Sequence, residues 1–243
     1  DFSLWRGRLS GSVDYYNADT KDLLREKSIP GSSGYTNTRA NIGATNNKGL
    51  EVALPSTNTR PTSPFHWSPS LNFSNNKEKI VSLSEGVTRN EADGWFVGQP
   101  IKAWFDYQKI GIWQDTDEDK EWAKKNTQEP GDIRVHTNNA DGVVTTDDRV
   151  ILGSPRPKYN LGLNNTFTYK GFELSVYMYG KFGHLVKTDV VGSFKPNALE
   201  NTIKVDYWRP KDESIGDPGN PTNAYPRPRT GENSFKYGST LGY

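Results

Sequence analysis

The sequence predicts an all-β, antiparallel fold, and connection lengths favour a segment of a transmembrane β-barrel over a soluble sandwich. Three observations carry this. Segments of period-two alternation recur along the chain, the spacing of a strand with two unlike faces. Their connections alternate long, short, long, short, long. No apolar run of about 18 residues is present, which excludes a helical membrane span but not a barrel, whose strands are half polar.

The strands follow in order. Over residues 7–17, Leu9, Val13 and Tyr15 share one face and Ser10, Ser12 and Asp14 the other. Over 47–55, Leu50, Val52 and Leu54 oppose Glu51 and Ala53. Over 65–75, Phe65, Trp67, Leu71 and Phe73 oppose His66, Ser68, Asn72 and Ser74. Over 159–168, Leu161, Leu163 and Phe167 oppose Asn160, Asn164, Thr166 and Thr168. Over 172–182, Phe172, Leu174, Val176 and Met178 oppose Glu173, Ser175, Tyr177 and Tyr179. Tyr169-Lys170-Gly171 makes a tight hairpin between the last two. About ten residues carrying Pro55, Pro61 and Pro64 join the second and third. The stretches 18–46, 76–158 and 183–243 are long loops. Compact soluble domains rarely hold a connection as long as 76–158, whereas outer-membrane barrels pair short periplasmic turns with long extracellular loops. Alternation alone fits a sandwich core as well as a lipid-facing wall. Within the longest loop, Asp117–Thr127 is compatible with a short helix, acidic early and basic late, as the helix dipole prefers.

Composition is consistent with this class. The chain of 243 residues has 30 Lys+Arg against 29 Asp+Glu, a formal charge of +1, which argues against a nucleic-acid partner. Only 33% of residues are hydrophobic, while 12% are aromatic, with 7 Trp, 12 Tyr and 10 Phe. Cysteine is absent, which rules out a disulfide scaffold and a thiolate metal site. The first residues lack a basic and apolar leader, so an export signal is expected upstream of this chain.

Residues 137–148 have the spacing of an EF-hand-type loop. Thr137, Asn139, Asp141, Val143 (through its carbonyl), Thr145 and Asp148 fall at positions 1, 3, 5, 7, 9 and 12, with Gly142 at the turn. This makes Ca²⁺ the candidate cofactor; no other is indicated. Two departures count against it: position 1 is Thr137 rather than Asp, and Asp148 is shorter than the usual Glu. The competing reading is an Asn/Asp/Gly turn closed by its own hydrogen bonds. Trp95, Trp104 and Trp113 lie in one loop region with Phe96, Phe105 and Tyr107, and are candidates for stacking on a ligand or meeting a partner, against local packing. No catalytic residues are predicted: His66, His136 and His184 lie on different elements with no nucleophile or zinc signature, and the run Asp115, Asp117, Glu118, Asp119 reads as solvated loop.

Five local sequences, in order, resemble the SusC/RagA family of TonB-dependent outer-membrane transporters. They are Tyr15-Tyr16 followed by Thr20-Lys21-Asp22-Leu23-Leu24; Asn41-Ile42-Gly43-Ala44-Thr45-Asn46-Asn47-Lys48-Gly49-Leu50-Glu51; Gly98-Gln99-Pro100-Ile101 with Gly111-Ile112-Trp113-Gln114; Pro130-Gly131-Asp132-Ile133-Arg134 with Asp141 to Arg149; and Leu152-Gly153-Ser154-Pro155-Arg156-Pro157-Lys158-Tyr159. The match runs from about Leu9 to Gly183 and weakly on through Tyr207-Trp208 and Tyr225-Pro226-Arg227-Pro228. The resemblance implies that residues 1–243 are part of one barrel domain in the C-terminal half of a plugged barrel of about 22 strands, in the bacterial outer membrane and bathed by its lipid. It implies nutrient import energised by TonB, with a SusD-like surface lipoprotein as cap, a glycan or peptide as substrate, and no enzymatic activity. The plug, the TonB-contacting segment and a terminal strand are expected elsewhere in a longer protein. The alternatives are a soluble or surface-exposed glycan-binding module and a secreted glycan hydrolase.

Overall fold

The structure, a computed structural model, describes residues 1–41, 43–84, 86–186 and 206–227. In chain order the strands are β1 (Phe2–Leu4), β2 (Leu9–Thr20), β3 (Leu24–Ser28), β4 (Asn37–Asn41), β5 (Ala44–Pro55), β6 (Phe65–Ser82), β7 (Arg89–Asn90), β8 (Trp95–Phe96), β9 (Trp104–Asp106), β10 (Lys109–Ile112), β11 (Ile133–Val135), β12 (Val150–Gly153), β13 (Tyr159–Tyr169) and β14 (Phe172–Phe182). Among the described residues one α-helix, α1 (Asp117–Lys125), lies between β10 and β11, with short 3-10 turns at Gly31–Ser33 and Thr146–Asp148. The chain divides into two compact units, one of residues 1–103 and 154–184, the other of 104–153 and 185–243.

The first unit is a six-stranded sheet, ordered β1-β2-β5-β6-β13-β14, with every pairing antiparallel. All five predicted strands are present in it. Register stacks the apolar positions of successive strands on one face. Val13, Val52, Phe73 and Leu161 form one row. Leu54, Leu71, Leu163 and Met178 form a second, and Trp67, Phe167 and Leu174 a third. A slip of one residue in any strand would turn its apolar set to the other face, so the pattern itself specifies the pairing. The β13–β14 connection is a two-residue turn in which Lys170 (φ 46) and Gly171 (φ 85) both take positive φ, the type I′ geometry that matches strand twist. The β5–β6 connection is tied down by Arg8, whose guanidinium donates to the carbonyls of Thr57, Asn58 and Thr59.

The structure extends the predicted elements. β6 runs on to Ser82, seven residues past the expected end at 75, and β3 pairs with β4 in a hairpin inside the expected loop 18–46. The stretch 76–158 is not a bare loop: much of it folds into the second unit. There β9 pairs with β12 and β10 with β11, and α1 begins at an N-cap Thr116 whose side chain accepts from Asp119 N. Of the expected loop 183–243, residues 183–186 and 206–227 are described, with bridges Tyr207–Tyr225 and Arg209–Asn220. Pro228 lies outside the described residues.

The second unit has a small water-type core. Ile112, Ile133, Val135 and Trp208 are buried together, with Tyr107 and Val144 packed against them.

Candidate functional site: a two-faced sheet and a braced loop

The sheet carries its chemistry on two faces. The apolar face is uncovered: Phe172 is 81% exposed, Leu174 60% and Met178 51%. A contiguous apolar surface of this size marks a membrane or partner contact. Aromatic residues bound it at both ends. At the tight-turn end stand Phe65, Tyr169 and Phe172 in one paired row, with Phe65 and Trp67 each stacked on Phe167 at 6.2 and 6.3 Å. At the other end Tyr15, Leu50, Asn75, Tyr159 and Phe182 form a row, with Tyr159 stacked on Phe182 at 5.0 Å. The two rows are ten residues apart along β13, about 33 Å at the usual strand rise. Tilted by about 40°, as barrel strands are, that spans about 25 Å, the height of the apolar band of an outer-membrane barrel. The polar Asn165 inside the band has its side-chain oxygen bonded by the Trp67 indole N–H at 3.1 Å, as a lipid environment requires.

The opposite face is polar across the same strands. Asp14, Glu51, Ser74, Asn160 and Lys181 form one row, and Ser12, Ala53, Asn72, Gly162 and Tyr179 the next. Asn160 donates to Ser74 Oγ at 3.1 Å and Tyr177 stacks on Tyr179 at 6.4 Å. Asp14, Glu51, Asn72, Ser74, Asn160 and Tyr179 help line a shallow trough suited to water and polar solutes. The strand polarity read from the sequence is thus carried by two distinct faces of the sheet.

At the end of the sheet away from the tight turn, β6 is locked to the connection that follows it. Ile80 N donates to Gln99 O at 2.9 Å and Gly98 N to Ile80 O at 2.8 Å. Glu78 accepts from Ile101 N at 3.2 Å and pairs with Arg156 at 2.6 Å. The segments Gly98–Ile101 and Ser154–Tyr159, singled out in the sequence, therefore converge on one carboxylate. Sequence reasoning missed Glu78 because it ended the strand at 75.

The predicted site residues of 137–148 do come together, as a turn closed by its own donors. Asp148 Oδ2 accepts from Thr145 N at 2.8 Å and from Asn139 Nδ2 at 3.1 Å, and Asp148 Oδ1 accepts from Asn138 N at 3.0 Å. Asn139 Nδ2 also donates to Val143 O at 2.7 Å. Asp141 accepts from Val143 N, and Thr137 Oγ1 accepts from Asn139 N. Burial pushes the Asp148 carboxyl up, but the backbone donors Thr145 and Asn138, joined by the Thr137 and Thr145 hydroxyls, outweigh it and hold the group below its usual range. α1 clasps the loop from outside: Asn126 donates to Gly142 O at 2.9 Å and accepts from Val144 N at 2.8 Å. Gly142 takes φ +74, and a Cβ there would run into the Trp122 ring. An amide nitrogen thus sits among the oxygens that a cation would need. Two carboxylates, Asp141 and Asp148, both already accepting backbone N–H groups, are a poor set for calcium, and no group of three His, Cys, Asp or Glu that could hold a metal occurs among the described residues.

The three tryptophans have separate settings. Trp113 is 6% exposed, and its indole N–H donates to Gln128 Oε1 at 2.9 Å while Gln128 passes a bond to Ile133 O. Arg134 lies over its ring at 4.6 Å. It is packed inside the second unit, with no face for a ligand. Trp104, half-buried in that unit, donates to Leu185 O at 3.2 Å. Trp95 belongs to the first unit, on β8. The tail closes the second unit: Trp208 donates to Gln114 Oε1 at 3.1 Å, and Arg227 pairs with Glu129 and Asp132. His66 is on β6, His136 follows β11 and His184 follows β14, so the histidines do not gather.

No family model matches the chain. It is 31% identical over 242 residues to the TonB-dependent receptor P26 of Formosa agariphila, across 93% of this chain and 23% of that receptor. It is 25% identical over 229 residues to the TonB-dependent receptor SusC of Bacteroides thetaiotaomicron, across 83% of this chain and 21% of SusC. The chain thus spans less than a quarter of the length of the curated relatives it matches. Among solved structures, the RagAB peptide importer in its closed-closed state superposes with a TM-score of 0.65 over 93% of this chain and 25% of that one, at 21% identity. The open-open state gives 0.64 over 81% of this chain and 21% of that one, at 22% identity. These two show a shared fold.

Proposed function

Because the chain belongs to the SusC/RagA family of TonB-dependent receptors, as a stretch of their antiparallel barrel wall, we propose that it walls the import path of a nutrient transporter in the bacterial outer membrane. The observation that carries this is the two-faced sheet: an apolar band about 25 Å tall with aromatic edges on one side, and the polar row from Asp14 to Lys181 on the other. β14 ends the sheet with an open edge among the described residues. Lipid does not tolerate such an edge, so further strands must close the wall. A soluble glycan-binding module would need a second layer over Phe172, Leu174 and Met178, and these stand exposed.

On this reading the polar face looks into the lumen and passes an oligosaccharide or a peptide. Energy comes from TonB, through a region outside this chain, and the wall itself does no bond chemistry. A SusD-like lipoprotein caps the outer mouth. The naming of SusC and of a peptide importer among the similar proteins supports the reading but leaves the substrate class open. Trp95 and Trp104 are the aromatic residues proposed to face substrate or cap. For the 137–148 loop, closure by its own hydrogen bonds is the reading carried here and calcium is the alternative, tested below.

The deciding experiment is intact mass and fractionation of the native protein from detergent-extracted outer membranes, with uptake assayed in the presence and absence of TonB. The expected result is a chain about four times this length, to judge by the 23% coverage of a relative, held with a lipoprotein and inactive without TonB. A soluble species that folds without detergent would overturn the proposal.

A further inference from the structure

The apolar face does not end at its second aromatic row. Beyond Tyr15, Leu50, Asn75, Tyr159 and Phe182, the same face of β2, β5 and β6 continues as Asn17, Lys48 and Lys77, and then as Asp19, Asn46 and Lys79. Lys48 and Lys77 are directly opposite each other on neighbouring strands, and Lys79 is one step further along. All three are exposed. Asp19 is the carboxylate in these two rows, and the Asn46 side chain donates to it at 2.8 Å and to Asn17 Oδ1 at 2.7 Å. Like charges placed directly across a strand pair destabilise it. Here neither Lys48 nor Lys77 has an ion pair among the described residues to offset that cost.

The position of these lysines defines what could neutralise them. Successive rows are about 7 Å apart along a strand, or about 5 Å along the membrane normal at barrel tilt. The lysines therefore lie about 5 to 10 Å beyond the aromatic row, at headgroup depth. They are on the lipid side, because they share a face with the apolar band. They are at the outer end, because the short β5–β6 and β13–β14 connections mark the periplasmic end.

We propose that Lys48, Lys77 and Lys79 bind the phosphate groups of a phosphorylated glycolipid in the outer leaflet, fixing the depth of the barrel wall at its outer rim. The proposal rests on the membrane reading above. Lysines near an anionic membrane surface each strengthen association about fivefold, and salt screens the effect.

The test uses the full-length receptor in detergent, titrated with bisphosphorylated lipid A, with dephosphorylated lipid A and with inorganic phosphate, and read by native mass spectrometry. The wild-type receptor should retain the bisphosphorylated lipid at least tenfold better than the dephosphorylated one. The triple variant Lys48→Gln, Lys77→Gln, Lys79→Gln should lose that preference, while Lys181→Gln, on the opposite face, should keep it. Heat-modifiable migration on gels shows that each variant still forms its barrel. A folded triple variant with the wild-type preference would overturn the lipid site. So would inorganic phosphate that competes as well as the lipid, since that marks a simple anion site. A receptor that forms no barrel in any lipid would instead overturn the membrane reading itself.

Discussion

The two units bury opposite things. In the second, Ile133 is 1% exposed and sits with Ile112, Val135 and Trp208 under a polar surface. In the sheet, the rows through Val13, Leu71, Leu163 and Phe167 share an uncovered face, and the buried apolar residues Ile80, Phe96 and Ala103 belong to β6 and the segment after it. The same amino acids thus do different work in different solvents. In water, removing Ile133 from solvent drives folding. In lipid, Leu163 is no better off against protein than against an acyl chain, and the hydrogen-bond ladder holds the strands, because no water is there to replace it. This also explains how a barrel wall has a mean hydropathy of -0.82: half of each strand is polar.

The comparison is broken most directly at Ile133. Ile133→Ala should cost the second unit about 2–5 kcal/mol, as for a fully buried aliphatic side chain. Hydrogen exchange on the full-length receptor should show faster exchange at the amides of β10 and β11, with the sheet unchanged. Leu163→Ala, on the sheet, should have a much smaller effect in bilayers. Comparable losses at the two positions would mean that the sheet is packed against protein and not lipid.

Next in size is a charge on each face of one strand. Leu163 and Asn164 are neighbours near the middle of the band but point to opposite faces. Leu163→Arg should cost about 2–4 kcal/mol, the range for an arginine at the bilayer midplane, in denaturant titrations of the receptor refolded into lipid vesicles. Asn164→Arg should leave stability nearly unchanged and alter uptake. The reverse order would exchange the lipid and lumen assignments and remove the lysine site with them.

The sheet was legible because lipid and lumen impose a clean period of two, and because that period fixes register. The five strands and the tight turn at Lys170-Gly171 follow from it. Legibility ended where both sides of a strand meet water. Beyond Asn75 the face residues are Lys77 and Lys79, and the alternation fades although β6 continues to Ser82. Glu78 and Arg156, far apart in the sequence, gave no local sign that they would meet. The helix at 117–127 was readable from its charge order and differs from α1 only at its C-terminal end. Trp113, a candidate for ligand or partner contact against local packing, is buried; a lone Trp in a loop gives no period from which burial can be read, and its partner Gln128 lies across α1.

The smallest expected effect concerns the 137–148 turn, where closure by its own donors and closure by calcium predict different responses. Asp148 is held below its ordinary value, so its contribution is complete above the unfolded value of about 3.9 and is lost as pH falls through the folded one. Exchange at the amides of Asn138 and Thr145, which donate to it, should therefore quicken only in acid, below about pH 4. Millimolar calcium should leave that profile unchanged, because Asn139 Nδ2 already occupies the space between Val143 O and Asp148 Oδ2. For calcium to bind, Asn139 would have to turn its Oδ1 inward and both N–H contacts would be given up. A calcium-dependent slowing of exchange at these two amides, abolished in Asp148→Asn, would show that the ion and not the amide closes the loop.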